Sequence, residues 1–263
     1  MDIQQYLDRM LSTIKSFDHN PDNPPENYDK YLDLFKNDTF KQFASKSPQI
    51  VALYNFITQK YEFVSESIVH LYGKKPENFT TEFGARAFIE MLTPTSIDLL
   101  VTQILPMMLQ HCNKHASRVT DLRFTACLEL QSIQQHSHWV LMHTYILCAT
   151  SKGFPILSCS ICTDVTDIKK DNLIHYSAHL SKDGSSEVLY LKSYGAETSG
   201  MHLSSREIEV IQLLCQGKTS KEIADELFVS FETVKKHRSN ILEKTHCTNT
   251  AELINLATAM GLT

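Results

Sequence analysis

Glycine is scarce in this chain: its 8 residues in 263 fall well below the usual share of ~7%. A glycine-rich loop that cradles phosphate groups therefore has little material to work with. Long apolar runs are also missing. The most apolar stretch, residues 97–110, is interrupted by Thr102, Gln103 and Pro106, and a membrane span needs ~20 apolar residues. We expect a buried helix there and no membrane contact.

An excess of positive charge is absent as well, because 25 Lys and Arg face 30 Asp and Glu, for a net charge of −5. This excludes a general nucleic-acid coat but leaves room for a local basic patch. The seven cysteines are an odd number, scattered along a chain too long to need disulfides. They indicate reduced thiols, and the N-terminus lacks the layout of a secretion signal, so we expect a cytoplasmic protein.

The first half of the chain predicts an α+β domain. Residues 2–17 have helical spacing, and a second helical piece covers roughly 27–45 after a Pro-rich loop. Two short β-branched and aromatic runs then predict a hairpin, at 51–58 and 60–67. Residues 66–115 return to helical patterns.

Three further runs are typical of strands, at 118–130, 136–150 and 155–166. With the hairpin, they predict an antiparallel five-stranded sheet accompanied by helices. A further hairpin is expected at 173–193, and the small polar residues 195–200 predict a linker.

The last sixty residues carry the strongest signal, because helix caps can be recognised directly. Three pairs have the spacing of a capping box or a close relative: Ser204 with Glu207, Thr219 with Glu222, and Asn249 with Glu252. Gly217 stands where a left-handed helix end is needed, and Ser230 can cap a third helix. Only about three residues separate helices 220–228 and 231–245, which predicts a helix-turn-helix.

The third helix, 231–245, has one apolar and one cationic side. Val234, His237 and Ile241 share a face, and the outward side carries Lys236 and Ser239 with Lys235 and Arg238 beside them. A recognition helix meets base edges with such a surface. Lysine can donate to guanine acceptors in the major groove, and serine can bond several bases.

Two other groups of residues complete the expected interface. The start of the second helix offers cations and hydroxyls suited to backbone phosphates, on Lys218, Thr219, Ser220 and Lys221. The fourth helix has an apolar stripe that could pack on its own domain or on a second copy, formed by Leu253, Leu256, Ala257 and Met260.

Residues 203–261 resemble the LuxR-type (GerE-like) helix-turn-helix, because LSxRExEV, GKTSKEIA, LFVS, TVKKHRSNIL and a final AxxxGL occur in order. The resemblance implies a four-helix DNA-binding domain. It implies major-groove contacts from Lys235, Lys236 and Ser239, and phosphate contacts from the 218–221 turn, Thr233 and His237. It also implies dimerisation through the fourth helix.

Two positions depart from that family pattern. Thr245 stands where such proteins usually have Leu, and we expect this change to loosen the end of the third helix. Thr250 stands where they usually have Arg, which removes one polar or phosphate contact.

The order hairpin, helices, three strands over residues 48–170 resembles a PAS sensor domain. YEFVSESIVHLYGKKPENF is similar to the second strand and first helix of that fold, and CTDVTDIKK to its usual ending. The resemblance implies sensing or protein contacts, with a small molecule as a possible ligand.

No cofactor and no metal are expected. A flavin photoreceptor motif of the Asn-Cys-Arg-Phe type is missing, and His70, His111 and His115 are only formal haem ligands. Cys159 and Cys162 would point to opposite faces of a strand, which argues against a shared zinc.

The sequence therefore predicts a regulator of transcription with four parts: a helical extension (1–47), a PAS-like sensor (48–170), a hairpin and linker (171–200) and a LuxR-type helix-turn-helix (201–263). It is expected to bind double-stranded DNA as a homodimer, with RNA polymerase as a further partner. One alternative is a ligand- or redox-sensing protein whose helical tail makes protein contacts. A thiol enzyme is the third, although no GxSxG or HExxH occurs and we expect no enzyme.

Overall fold

Antiparallel pairing joins the strands of the described chain into one sheet with helices on both faces. The computed structural model describes residues 2–17, 25, 27–81, 84–132, 134, 136–169, 171–182, 185–195, 198–245 and 247–259. Within these ranges none of the helices combines the length and the apolar character needed to cross a membrane.

The chain opens with three helices, α1 (Ile3–Ser16), α2 (Tyr28–Lys36) and α3 (Asp38–Ser45). The single helical piece expected at 27–45 is divided because the Asn37 side chain accepts hydrogen bonds from the N–H groups of Thr39, at 2.9 Å, and Phe40, at 3.2 Å. Asparagine in that role starts a new helix. The predicted hairpin follows as β1 (Ile50–Asn55) and β2 (Lys60–Val64).

The helical stretch between the hairpin and the next strands is confirmed. It contains α4 (Ser67–Tyr72), α5 (Glu77–Thr80), α6 (Gly84–Ile89), α7 (Pro94–Leu99), a π-helical turn (Leu100–Ile104), α8 (Leu105–Lys114) and a 3-10 helix (Ala116–Asp121). The three predicted strands follow as β3 (Leu122–Gln131), β4 (Ser137–Ala149) and β5 (Pro155–Asp164).

The prediction of a five-stranded sheet is wrong, because the sheet has eight strands in the order β2-β1-β5-β4-β3-β6-β7-β8. The expected second hairpin is present as β6 (Ile174–Lys182) and β7 (Ser185–Gly195). It continues the sheet because β6 pairs with the free edge of β3, from Leu122 with Leu180 to Cys127 with His175. Part of the segment expected to be a linker forms β8 (Thr198–His202) against β7.

Four helices end the described chain: α9 (Ser205–Cys215), α10 (Ser220–Glu226), α11 (Phe231–Thr245) and α12 (Thr250–Ala259). Their shared core includes Val210, Ile223, Val234 and Ile241, and it also takes in Leu191 of β7. The sheet and the C-terminal helices are thus joined by apolar packing as well as by the chain itself.

The two faces of the sheet carry different helices. The α1 residues Leu7 and Ile14 belong to the main core, together with α8 and the inward side chains of β3 and β6. On the opposite face, Phe35 of α2 packs with Leu53 and Ile156. Cys159 packs on this second face and Cys162 on the first, as the strand periodicity predicted.

The contact between β7 and the C-terminal helices yields a stability prediction. Leu191 is 4% exposed in the core of these helices, and truncating a buried leucine costs about 2–5 kcal/mol. We expect Leu191→Ala to lower the melting temperature of the C-terminal helices and to separate their unfolding from that of the sheet in calorimetry. The matched control is Leu189→Ala, because Leu189 packs on the main core. Equal thermograms for the two variants would contradict the shared core.

Candidate nucleic-acid interface and internal cavity

The helix starts of the C-terminal region have the caps that the sequence predicts. The Ser204 hydroxyl accepts from the N–H of Glu207, and the Glu207 carboxylate reaches back to the Ser204 N–H at 2.7 Å. Thr219 and Glu222 form the same reciprocal pair. Ser230 caps α11 through the N–H of Thr233 at 3.1 Å. These caps set where each helix begins and therefore which residues face outward.

The Asn249 cap departs from a capping box in one bond. Its side chain accepts from the Glu252 N–H at 2.9 Å, but the Glu252 carboxylate takes the N–H of Thr248 at 2.8 Å. The start of α12 is therefore fixed as expected, with the reciprocal bond moved one residue back.

Two left-handed residues end α9 and α10. Gly217 has φ +79°, and the Lys218 N–H donates to the Leu213 carbonyl at 3.1 Å, which is the bond of a Schellman motif. Phe228 occupies the equivalent position after α10 with φ +53°, although a bulky residue rarely adopts that conformation. Its ring is 95% exposed. The turn between α10 and α11 is thus built on a strained aromatic residue.

Helix α11 is fixed by its inner side. Val234 and Ile241 are both 0% exposed, whereas His237 is only half-buried. At the far end of the helix, Lys244 Nζ lies 2.8 Å from both carboxylate oxygens of the buried Glu207 on α9. This inner side holds the helix in one rotation about its axis.

The outward side of α11 presents the residues expected to read bases. Lys235, Lys236 and Ser239 are all exposed. Glu232 lies 3.8 Å from Lys235, but the side chains of both residues are more than half exposed, so this pair holds Lys235 only weakly. The structure thus brings the three predicted base contacts together on one accessible face.

Arg238 is held more tightly than the sequence predicts. Its guanidinium donates to the Ser220 hydroxyl of α10 at 2.6 Å and to the Thr250 hydroxyl of α12 at 2.8 Å. The Thr250 position, where related proteins usually carry Arg, is therefore a hydrogen-bond partner for an arginine from α11. This bridge keeps a guanidinium at the junction of three helices.

The remaining predicted phosphate contacts lie around the same face. Thr219 and Lys221 are exposed, and Lys218 is half-buried in an ion pair with Glu226. Thr233 is half-buried, and its hydroxyl lies 2.8 Å from that of Ser230. Lys221 is the cation of this turn that extends furthest into solvent.

The residues expected to dimerise have different surroundings. Leu253 is 2% and Ala257 1% exposed, both in the core that includes Leu191. A second copy cannot reach them in this arrangement. Leu256 is half-buried, and Met260 lies outside the described residues. Sequence periodicity could not distinguish these cases because the covering surface is built from α9 and α11 together with Leu191 of β7.

Thr245 lies buried at the end of α11, and the expected loosening of this helix end stays a prediction. It is 3% exposed, and its hydroxyl donates to the Ile241 carbonyl at 2.7 Å. Leucine at this position would have to fit beside Leu191 and Ser193 of β7, which line a small void with Thr245. The smaller side chain leaves room for the strand.

A second candidate site is a partly open cavity of about 120 Å³ between the sheet and its helices. A smaller cavity of about 50 Å³ adjoins it and shares the lining residues Tyr61, Phe88, Met142 and Ser160. The walls are apolar, with Met10 and Ile14 of α1 among them. An apolar space of this size can hold a small ring, as engineered cavities of ~150 Å³ bind benzene.

Two residues that line the cavity have buried hydroxyls without partners in the described part of the chain. The hydroxyls of Tyr54 and Tyr176, both lining residues, are buried and make no hydrogen bond within the described part of the chain. Burial raises the pKa of each phenol, so both stay protonated. A buried hydroxyl without a partner costs free energy.

The helical wall of the cavity includes the π-helical turn. The N–H of Leu105 donates to the carbonyl of Leu100, five residues back, and Pro106 follows without an N–H of its own. Such wide turns occur often at functional sites. Leu100, Ile104 and Leu105 all line the cavity. Phe124 of β3, which belongs to the main core, also lines the cavity.

The ion pair of Glu207 and Lys244 yields a pH-dependence prediction. Burial alone raises the pKa of Glu207, but hydrogen bonds from Lys244 and Ser204 outweigh it and hold this pKa below its ordinary value. A lowered folded-state pKa gives stability that is present above the unfolded-state pKa of about 4.3 and lost as the pH falls through the folded-state value. We expect Glu207→Gln to cost about 1–3 kcal/mol at neutral pH and to flatten the acid loss.

Urea unfolding of the C-terminal helices at pH 7 and pH 3 would measure both effects. The control is Glu209→Gln, because Glu209 pairs with Arg206 on the surface with 48% of its side chain exposed. That pair contributes little. If Glu207→Gln retained the full acid sensitivity, this ion pair would not be its source.

Comparison with known proteins gives a match for the C-terminal helices. The GerE model, described as bacterial regulatory proteins of the luxR family, matches residues 201–257. The virulence factors putative positive transcription regulator BvgA of Bordetella pertussis is 47% identical over 55 residues, which are 21% of this chain and 26% of BvgA. The spore germination protein GerE of Bacillus subtilis is 57% identical over 42 residues, or 16% of this chain and 57% of GerE.

The chain therefore covers less than two thirds of the length of these relatives. Over most of the chain, a solved structure of the Vibrio cholerae VqmA dimer is similar at 17% identity and a TM-score of 0.33, covering 89% of this chain and 88% of that one. That TM-score is too low for a detailed comparison of the two folds. Residues 201–257 of this chain form a LuxR-family domain of the GerE type.

Proposed function

We propose that the protein is a sequence-specific DNA-binding regulator of transcription whose helix α11 enters the major groove. The observation that carries this proposal is the exposure of Lys235, Lys236 and Ser239 on the side of α11 opposite the buried Val234 and Ile241. A helix that is anchored by one side and cationic on the other suits a groove lined with acceptors. The LuxR-family match over 201–257 supports it.

Contacts to the DNA backbone would surround these base contacts. Lys221 is exposed and unhindered, Thr233 and His237 are half-buried beside the outward face, and Arg238 is held at the junction of α10, α11 and α12. Lys218, Thr219 and Ser220 complete the set at the start of α10. Such contacts fix the register of the protein on the duplex without reading sequence.

The protein would act as a homodimer on a roughly palindromic site, with two recognition helices ~34 Å apart. A dimer through α12 would use its outer side near Leu256, because Leu253 and Ala257 pack inward. RNA polymerase would be the further partner of such a regulator. The protein would act in the cytoplasm, which its seven free cysteines support.

The sheet region would be a PAS-like sensor for a small molecule. Its five strands β1–β5 follow the predicted order of hairpin, helices and three strands. The cavity of about 120 Å³ with the unpartnered Tyr54 and Tyr176 hydroxyls suits a compact, mainly apolar ligand with polar atoms at its edge. Ligand binding would change the spacing of the recognition helices through β7.

The alternative of a sensing protein whose tail makes protein contacts is favoured by one observation, the packing of the C-terminal helices on Leu191 of β7. Its redox version is less well supported, because burial raises the pKa of Cys148 to about 11 and that of Cys159 to about 11. Thiols that remain protonated are poor nucleophiles. The same chemistry disfavours a thiol enzyme.

The base contacts can be tested by lysine truncation. We expect Lys235→Ala and Lys236→Ala each to weaken binding to the preferred site by about 1–3 kcal/mol and to relax its sequence preference. The control, Lys41→Ala, removes the same charge from the surface of α3. Competition binding with selected and scrambled duplexes would measure both effects.

Salt titration separates regulator from interaction protein, because phosphate contacts make affinity fall steeply as salt rises. If Lys235→Ala and Lys236→Ala both kept the sequence selectivity of the wild type, neither lysine would contact bases specifically. An affinity for DNA that is independent of salt would favour the protein-contact alternative.

The cavity can be tested with phenol, a ring that has a hydroxyl. We expect phenol to raise the melting temperature more than benzene does, because its hydroxyl can pair with Tyr54 or Tyr176. The double variant Tyr54→Phe, Tyr176→Phe should bind the two probes alike. Ala126→Leu, which fills the space from β3, should respond to neither. Equal shifts for all variants would mean that the probes bind elsewhere.

A further inference from the structure

Phe231 is an aromatic residue on the surface expected to enter DNA. It is the first residue of α11 and is 46% exposed. Its ring lies beneath the Lys235 ammonium, with 5.5 Å between Nζ and the ring centre. Residues four apart on a helix share a face, so Phe231, Lys235 and Ser239 form one stripe along the outward side. We call this the reading stripe.

This aromatic ring is not part of the core of the C-terminal helices. The partly buried residues that pack on the C-terminal core include Leu227 and Val229 on one side of Phe231 and Leu242 on the other, but not Phe231 itself. Ser230 caps α11 by accepting a hydrogen bond from the backbone N–H of Thr233, so the cap does not involve the Phe231 side chain. Single exposed apolar residues are common, so position is the argument here. This one begins the stripe whose next two members are expected base contacts.

The floor of the major groove offers one apolar group to such a ring. Guanine, cytosine and adenine present hydrogen-bond donors or acceptors there, whereas thymine adds a C5-methyl group, and phenylalanine is among the side chains that contact it. The Phe231 ring is too apolar to replace hydrated acceptors. The Lys235 ammonium next to it would bond an acceptor such as guanine O6 or N7 on a neighbouring base pair.

We infer that Phe231 is a specificity-determining residue that contacts a thymine methyl group next to the base pair read by Lys235. Each half-site would then contain a thymine whose selection does not depend on Lys235 or Lys236. This inference rests on the proposed function, since it requires α11 to lie in the major groove. It adds an apolar contact to a surface that the sequence pattern describes only by its polar residues.

The test removes the methyl group from the DNA and the ring from the protein. The preferred site is first selected from randomised duplexes with the full chain, and each thymine is then replaced by uracil, which lacks only that methyl. We expect wild-type affinity to fall about three- to five-fold at one thymine of each half-site, as for the loss of one buried methyl group. Phe231→Ala should bind the thymine site more weakly and show no further loss with uracil there.

Two variants keep the experiment decisive. Phe43→Ala truncates another exposed phenylalanine, 72% exposed on α3, and should keep the wild-type uracil profile. Phe231→Leu retains an apolar contact and should keep part of the sensitivity, which separates lost contact from lost folding. The inference is overturned if Phe231→Ala remains as sensitive to uracil as the wild type at every thymine. Failure of the wild type to select any sequence would instead contradict the proposed function, and the inference with it.

Discussion

The structure depends on the way one helix is held. Val234 and Ile241 sit in the C-terminal core with no exposed surface, and Lys244 reaches across to the buried Glu207. These contacts fix both the rotation and the far end of α11. Because the inner side is fixed, Lys235 and its neighbours must face outward. Without that anchor, a cationic helix would be an ordinary solvated surface helix. Its charges would have no fixed positions and could not give specific recognition.

The sheet bears on the same anchor from the other side. Leu191 of β7 packs into the core that holds α11, and Thr245 at the end of α11 lies beside the same strand. This explains why threonine is accommodated where a larger leucine is usual in the family. Leu253 and Ala257 of α12 are buried in the same core, against α9 and α11 as well as Leu191. The C-terminal helices and the sheet therefore share apolar packing, and the apolar inner stripe of α12 serves the fold.

Local signals made the C-terminal region predictable. A serine or threonine three residues before a glutamate, or a glycine after an apolar run, specifies a helix end through bonds within one turn, and α11 runs over the predicted range. Contacts between residues far apart in the sequence could not be predicted in this way. The addition of β6 to β3 depends on which edge is free once the domain has folded. The cavity depends on the shapes of several elements at once. The hydrogen bond from Arg238 to Thr250 joins two different helices, and no rule of residue spacing predicts such a contact.

The cavity and the core of the C-terminal helices are connected by two neighbouring strands. Tyr176 lines the cavity from β6, and the next residue, Ser177, pairs with Leu191 on β7. One pair of neighbouring strands thus touches both the candidate ligand and the core that holds α11. Contact alone does not make a switch, because a ligand shifts an equilibrium only by its differential affinity for two states. The second state would be one in which β7 shifts against the C-terminal core, because Leu191 is the residue of this strand that packs into it. Such a shift would move α11 relative to the sheet, and the spacing of two recognition helices would then depend on what the cavity holds.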